Sequence, residues 1–117
     1  MSRFHTQELL RGLIDPLLLF LIDIASLPVY GYQLLKEIEE RSQGYFRLSG
    51  STVYSALRRL EKEGLVLSCW QKAARKQKRR CYEITEEGRR RLTGGVDGWQ
   101  RFSNAADSVI KGGISGS

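Results

Sequence analysis

The sequence predicts a mainly α-helical fold with a small β-hairpin, arranged as a winged helix-turn-helix and followed by a C-terminal helix. Three observations carry this reading. The stretch SGSTVYSALRRLEKEGL, from Ser49 to Leu65, has helical periodicity and closes on Glu63-Gly64, where glycine is free to take the left-handed conformation of a C-terminal cap. It is followed by two runs rich in branched and aromatic residues, Leu65 to Gln71 and Arg79 to Thr85, which read as paired strands. Between them lies KAARKQKRR, Lys72 to Arg80, in which every charged residue is a cation. That segment is too polar for a core, so its charge projects into solvent or onto a polyanion.

The chain has 117 residues, 41% of them hydrophobic, which suits one small domain that gains from oligomerisation. A formal net charge of +6 points toward a polyanionic partner, although basic chains are also simply soluble ones. No secretory signal pattern is visible in MSRFHTQELLRG, and Asp15 and Asp23 interrupt an apolar run that is too short to span a membrane. The expectation is a soluble, cytoplasmic protein. Two cysteines and one histidine, His5, provide neither a disulfide framework nor a four-ligand zinc site. No phosphate-binding glycine loop or nucleophile with a base at motif spacing is present, so no enzymatic role, cofactor or metal is expected.

The elements follow in chain order. Phe4 to Arg11 reads as a short helix loosened at Gly12, and Asp15-Pro16 reads as a restart, with Asp as N-cap and Pro at the first helical position. The next helix, Pro16 to about Ser26, is apolar on nearly every side and is expected in the middle of the core. Leu27-Pro28 ends it. Tyr32 to Arg41 follows, with Leu34, Leu35 and Ile38 inward and Glu37, Glu39 and Glu40 on a solvated face, and Gln43-Gly44 closes it.

The third helix separates two faces. Val53, Leu57 and Leu60 fall on one, with Tyr54 at its edge, while Ser51, Thr52, Ser55, Arg58, Arg59 and Lys62 fall on the other. Small hydroxyl residues near a helix start let the backbone approach base edges in a major groove, and guanidinium groups reach bases and phosphates. Taken alone, the same face also fits ordinary solvation; the basic hairpin beside it favours nucleic acid. With Tyr32, these residues form the candidate DNA-contacting set: Tyr32, Ser51, Thr52, Tyr54, Ser55, Arg58 and Arg59. Lys72, Arg75, Lys76, Lys78 and Arg79 are the candidates in the hairpin, supplying affinity and salt dependence rather than sequence choice.

If Val66 faces Ile84, Ser68 lies opposite Tyr82, Cys69 opposite Cys81 and Trp70 opposite Arg80. The two cysteines then either fill half-buried strand positions in reduced form or close a disulfide on oxidation. Thr85 is an N-cap candidate for the last helix, with Glu86 and Glu87 favourable in its first turn. Gly94, Gly95 and Gly98 each cost about 1 kcal/mol in a helix interior, and a kink near 94–98 is an open alternative. Val96, Trp99, Phe102, Ala106 and Val109 recur at three- and four-residue steps. This stripe either meets a partner helix in a homodimer or folds back on the chain's first helix.

The residues also resemble a known family. Leu10-Arg11-Gly12, the Tyr30-Gly31-Tyr32-Gln33-Leu34 run, Ser51 to Leu65 and Arg80 to Gly88 stand in the order and spacing found in the PadR family of bacterial transcriptional regulators. The resemblance covers residues from about 9 to 92; Tyr30 stands where members of the family often have His. It implies a homodimeric repressor on a palindromic duplex-DNA operator, with the third helix in the major groove and the C-terminal helix making the dimer. The short C-terminal part looks like the compact branch with multidrug-responsive members. There a tryptophan lines a pore between subunits and stacks on flat aromatic compounds, which implies an effector role for Trp99, with Phe102 and with Asp97 or Asp107 nearby. The expected organisation is a winged helix-turn-helix over 1–85, a dimerisation helix over 86–111 and a flexible tail over 112–117. The rival reading is a winged-helix interaction module that docks on protein or RNA without sequence-specific duplex readout.

Overall fold

A computed structural model describes residues 3–72 and 78–115, with side chains described for 12–72 and 78–111. The elements are α1 (Arg3–Ile24), β1 (Val29–Tyr30), α2 (Gly31–Arg41), α3 (Gly50–Lys62), β2 (Val66–Lys72), β3 (Lys78–Ile84) and α4 (Glu86–Ser115).

The first helix corrects the expectation of two helices with a restart at Asp15-Pro16. Pro16 lies inside one continuous helix of 22 residues. A proline at this position removes the bond to the carbonyl of Gly12 and crowds it. Gly12 is exposed, so its carbonyl is left to water, while Ile14, Leu18, Leu19, Leu21 and Ile22 are buried further along the helix. Their burial, worth roughly 1.5–3 kcal/mol per side chain, outweighs one lost helical bond. The helix is not enclosed on every side, since Phe20 and Ile24 remain 43% and 48% exposed.

In α2, Leu34 and Ile38 are buried and Leu35 is packed against the core. Gln43 and Gly44 both take positive φ, 54° and 81°, and turn the chain toward α3. Ser49 caps α3, its Oγ accepting the Thr52 backbone N–H at 3.2 Å. Val53, Ala56, Leu57 and Leu60 are buried. Gly64, at φ 78°, ends the helix by reversing the chain into β2.

The hairpin has the expected register, pairing Val66 with Ile84, Ser68 with Tyr82, Cys69 with Cys81 and Trp70 with Arg80. The sheet nevertheless has three strands, in the order β1-β3-β2. Val29 and Tyr30 add an antiparallel edge against Tyr82 and Cys81, a pairing too short to leave a periodic trace in sequence. The inner face, with Val66 and Tyr82, closes the helical core.

Thr85 caps α4, its Oγ1 accepting the Gly88 N–H at 2.9 Å. The first turns of α4 lie on α1: Leu92 is buried, Arg89 pairs with Asp23 at 3.0 Å, and a Cβ on Gly95 would stand 3.5 Å from the Pro16 ring. The helix continues through Gly94, Gly95 and Gly98 to Ser115, so residues 112–115 belong to the helix and not to a tail. The near part of α4 thus folds back on α1 and the far part projects away from the domain. Among the described residues, no helix is long and apolar enough to cross a membrane.

Candidate nucleic-acid interface

Burial of Val53, Leu57 and Leu60 turns the opposite face of α3 to solvent. At its start the hydroxyls are linked, Ser49 Oγ lying 2.8 Å from Thr52 Oγ1 and 3.2 Å from Ser51 Oγ. This network orders the exposed N-terminal turn, whose side chains are small enough to admit a ligand to the helix end. One turn on, Ser55 Oγ accepts a bond from the Arg58 guanidinium at 3.3 Å. Arg58 is therefore held along the outward face, and Lys62 is exposed beyond it.

Arg59, a sequence candidate for DNA contact, is turned toward α1. Its guanidinium forms a bidentate pair with Asp15 of α1, at 2.6 and 2.9 Å, with both side chains largely covered. The hydrogen bond to Asp15 holds its proton more firmly than usual, against the opposing effect of burial. A planar fork matched to a carboxylate at this depth ties α3 to α1.

Tyr54 is 39% exposed, and its ring lies against α2 at Gly31, where an added Cβ would come within 2.5 Å of Tyr54 Cε1. Glycine at position 31 is what allows the two helices to approach there. Tyr32 is exposed, with the Lys36 ammonium 5.5 Å from its ring centroid. In the wing, Lys72 and Lys78 face each other across the outermost described rung. Like charges directly opposite weaken a ladder, so this placement works against the hairpin and raises the positive potential of its outer end. Arg79, one rung inward, lies 5.7 Å from the Tyr30 ring centroid. Arg75 and Lys76 lie outside the described residues.

Arg80 and Tyr30 were not among the sequence candidates. Arg80 reaches back to α3, bonding Glu61 at 3.2 Å and Ser68 Oγ at 3.0 Å, and stands 5.6 Å from the Trp70 ring centroid. It sets the angle of the wing against the helix. The Trp70–Arg80 rung is visible in the register, whereas the carboxylate of Glu61 is brought in only by the fold. Tyr30, Tyr32, Tyr54, Arg79 and Arg80 line one cleft of about 570 Å³, which places α2, α3 and the wing around a common concave face.

The carboxylates near this face are engaged. Asp15 is held by Arg59, Glu61 by Arg80, and Glu63 by Arg59 and Arg91 at 3.8 and 3.5 Å. Among the described residues, Arg58, Lys62, Lys72, Lys78 and Arg79 make no ion pair within 4.0 Å. Uncompensated cations around hydroxyl-bearing helix residues form a surface suited to a phosphodiester backbone and base edges. No group of three or more metal-ligating side chains occurs among the described residues.

The second candidate region lies on the far part of α4. Val96, Trp99, Phe102 and Val109 are 43–75% exposed, as is Ile110, which was not anticipated; Ala106 is half-buried. Trp99 and Phe102 stand with ring centroids 6.0 Å apart, tilted by 31°. Asp97 lies 3.8 Å from Arg101 and Asp107 is exposed.

Comparison with known proteins agrees with this geometry. A model of the transcriptional regulator PadR-like family matches residues 18–94. An uncharacterized protein of Lysinibacillus sphaericus is 29% identical over 105 residues, covering 90% of this chain and 94% of that one. The fold matches a transcriptional regulator from Clostridium thermocellum with a TM-score of 0.75 and 27% identity, over 86% of this chain and 95% of that one. It matches a PadR family regulator from Eggerthella lenta with a TM-score of 0.74 and 29% identity, over 91% and 88% of the two chains. Bacillus subtilis PadR in complex with operator DNA shares the fold at a TM-score of 0.63 and 19% identity, over 71% of this chain and 46% of that one.

Proposed function

The chain belongs to the PadR-like family of transcriptional regulators, and from that premise we propose that it is a homodimeric, sequence-specific binder of duplex DNA acting as a cytoplasmic repressor. Members of the family are regulators and not enzymes. The observation that carries the reading is the common face formed by α2, α3 and the wing, with Tyr30, Tyr32, Tyr54, Arg79 and Arg80 around one cleft and unpaired cations on either side. In this reading Ser51, Thr52, Ser55 and Arg58 enter the major groove. Lys72, Lys78 and Arg79 reach the neighbouring backbone, as do Arg75 and Lys76 of the same basic run. Bacillus subtilis PadR, which shares the fold, is known in complex with operator DNA, which supports DNA as the partner here.

Dimerisation through the far part of α4 covers Val96, Trp99, Phe102 and Val109, whose exposure is unfavourable for a lone chain. A two-fold dimer then reads two half-sites about 34 Å apart on a palindromic operator. Trp99 and Phe102 offer the flat, tilted rings on which a planar aromatic effector stacks, with Asp97 or Asp107 favouring a cationic one. Binding of such a compound between subunits would release the DNA.

Fluorescence anisotropy against the chain's own upstream duplex and a scrambled duplex tests the proposal. Tight binding to the native duplex alone, saturating at two chains per site, is the expected result. Equal, weak binding to both would favour a module that docks on protein or RNA.

A further inference from the structure

Cys69 and Cys81 occupy one rung of the β2–β3 ladder. Directly opposed residues of an antiparallel pair have Cα atoms about 4.5–5.5 Å apart and side chains on the same face, within the span a disulfide accepts. The two Sγ atoms lie 2.8 Å apart, closer than ordinary non-bonded sulfurs, and Cys81 Sγ also donates to the Cys69 carbonyl at 3.2 Å. Cys81 is buried yet stands outside the contiguous apolar cluster of the core, and the proposed DNA face uses neither cysteine. We propose that Cys69 and Cys81 are a reversible oxidation site that closes an intrachain disulfide across the wing on exposure to a hydroperoxide.

The two thiols are not equivalent. Cys81 is on the central strand, fully buried, and burial together with its hydrogen bond to Cys69 pushes its pKa up to about 11. It is thus poor at meeting an oxidant directly. Cys69 is half-buried on the edge strand, and its same-face neighbours Leu67 and Gln71 are exposed, leaving a solvent route to its sulfur. The reaction begins there. The Cys69 thiolate attacks the peroxide, its sulfur taking one oxygen as the O–O bond breaks, which gives a sulfenic acid and one water or alcohol. Cys81 then attacks that sulfur, forming the S–S bond and losing its proton as the sulfenic oxygen departs as water. In total two thiols lose two hydrogens, and the hydroperoxide is reduced.

The bond would clamp the hairpin below the rungs Trp70–Arg80, Gln71–Arg79 and Lys72–Lys78. Any consequence for DNA affinity rests on the proposed function, whereas the sulfur chemistry does not. The test is hydrogen peroxide treatment of the reduced full chain, followed by thiol titration, intact mass and non-reducing peptide mapping. The expected result is loss of both thiols together, a chain lighter by two hydrogens, a Cys69–Cys81 linked peptide pair, and full reversal by dithiothreitol. Cys81→Ala should halt the reaction at a sulfenic acid on Cys69, and Cys69→Ser should leave Cys81 reduced. Two persistent thiols, a linkage between chains, or unchanged oxidation of Cys81 in the Cys69→Ser variant would overturn the proposal.

Discussion

Arg58 and Arg59 are adjacent in sequence yet separate in role. Arg58 lies on the outward face beside Ser55, and Arg59 is turned onto α1 by Asp15. Arg58→Ala is expected to weaken duplex binding with thermal stability nearly unchanged. Asp15→Ala should lower unfolding free energy by about 1–3 kcal/mol, because it leaves a half-covered guanidinium with only the 3.8 Å contact to Glu63; denaturant melts of both variants check this. The division was not legible beforehand, since both arginines fall near the same side of a helical wheel and the deciding carboxylate is 44 residues away. A pH effect also belongs to single residues. Burial raises the pKa of Cys81 from 9.0 to about 11 and raises that of Tyr82 as well. The folded state therefore holds the Cys81 proton where the unfolded chain has lost it, so that contribution is complete below about pH 9 and is lost as pH rises toward 11, and Tyr82 acts in the same direction. Alkaline melts of the reduced wild type should fall more steeply over that window than those of Cys81→Ala.

Among the elements, the wing was the most legible. Runs rich in branched and aromatic residues, a helix stop at Glu63-Gly64 and a polar turn place its strands, and opposing Val66 to Ile84 sets the register, because a slip of one residue would expose Val66 and Tyr82. The edge strand Val29–Tyr30 was not legible, since two residues carry no period and their partner is more than fifty positions downstream. Pro16 misled for a related reason. Local chemistry favours a helix start, but the apolar side of α1 is packed continuously, and tertiary burial prevails over propensity. The facing lysines of the wing carry a prediction at this scale. Replacing Lys72 and Lys78 together by Ala should leave the hairpin at least as stable, by removing their repulsion. It should also make the dependence of log affinity on log salt shallower by about 2 if both contact phosphate, read from titrations over a salt series.

The whole molecule is elongated, with extents of 65 × 28 × 27 Å and a radius of gyration of 16.7 Å, against about 13 Å for a compact chain of this length. The excess is α4, whose first turns are held by Leu92 and Arg89 and whose far part carries Trp99, Phe102, Val109 and Ile110 into solvent. The sequence stripe anticipated an apolar contact without deciding between α1 and a second chain. The division within α4 was invisible to it, because the stripe's period does not change where packing on α1 stops. Paired Phe102→Asp and Val109→Asp substitutions are expected to shift the protein from dimer to monomer by light scattering while its circular dichroism stays helical. Trp99→Ala should abolish quenching by planar aromatic compounds and keep measurable DNA binding; loss of both together with the dimer would make Trp99 a structural contact.

The central claim is that the outward face of α3 reads duplex DNA, and Ser55→Glu tests it most directly. Ser55 is exposed on that face, so the substitution places a carboxylate against phosphate and base edges without entering the core. Anisotropy titrations of wild type and variant against the native upstream duplex, at about 150 mM salt where non-specific binding is weak, should show tight, saturable binding by the wild type and none by a folded variant. Equal binding by both would contradict the account, because the duplex would then be held by some surface other than α3.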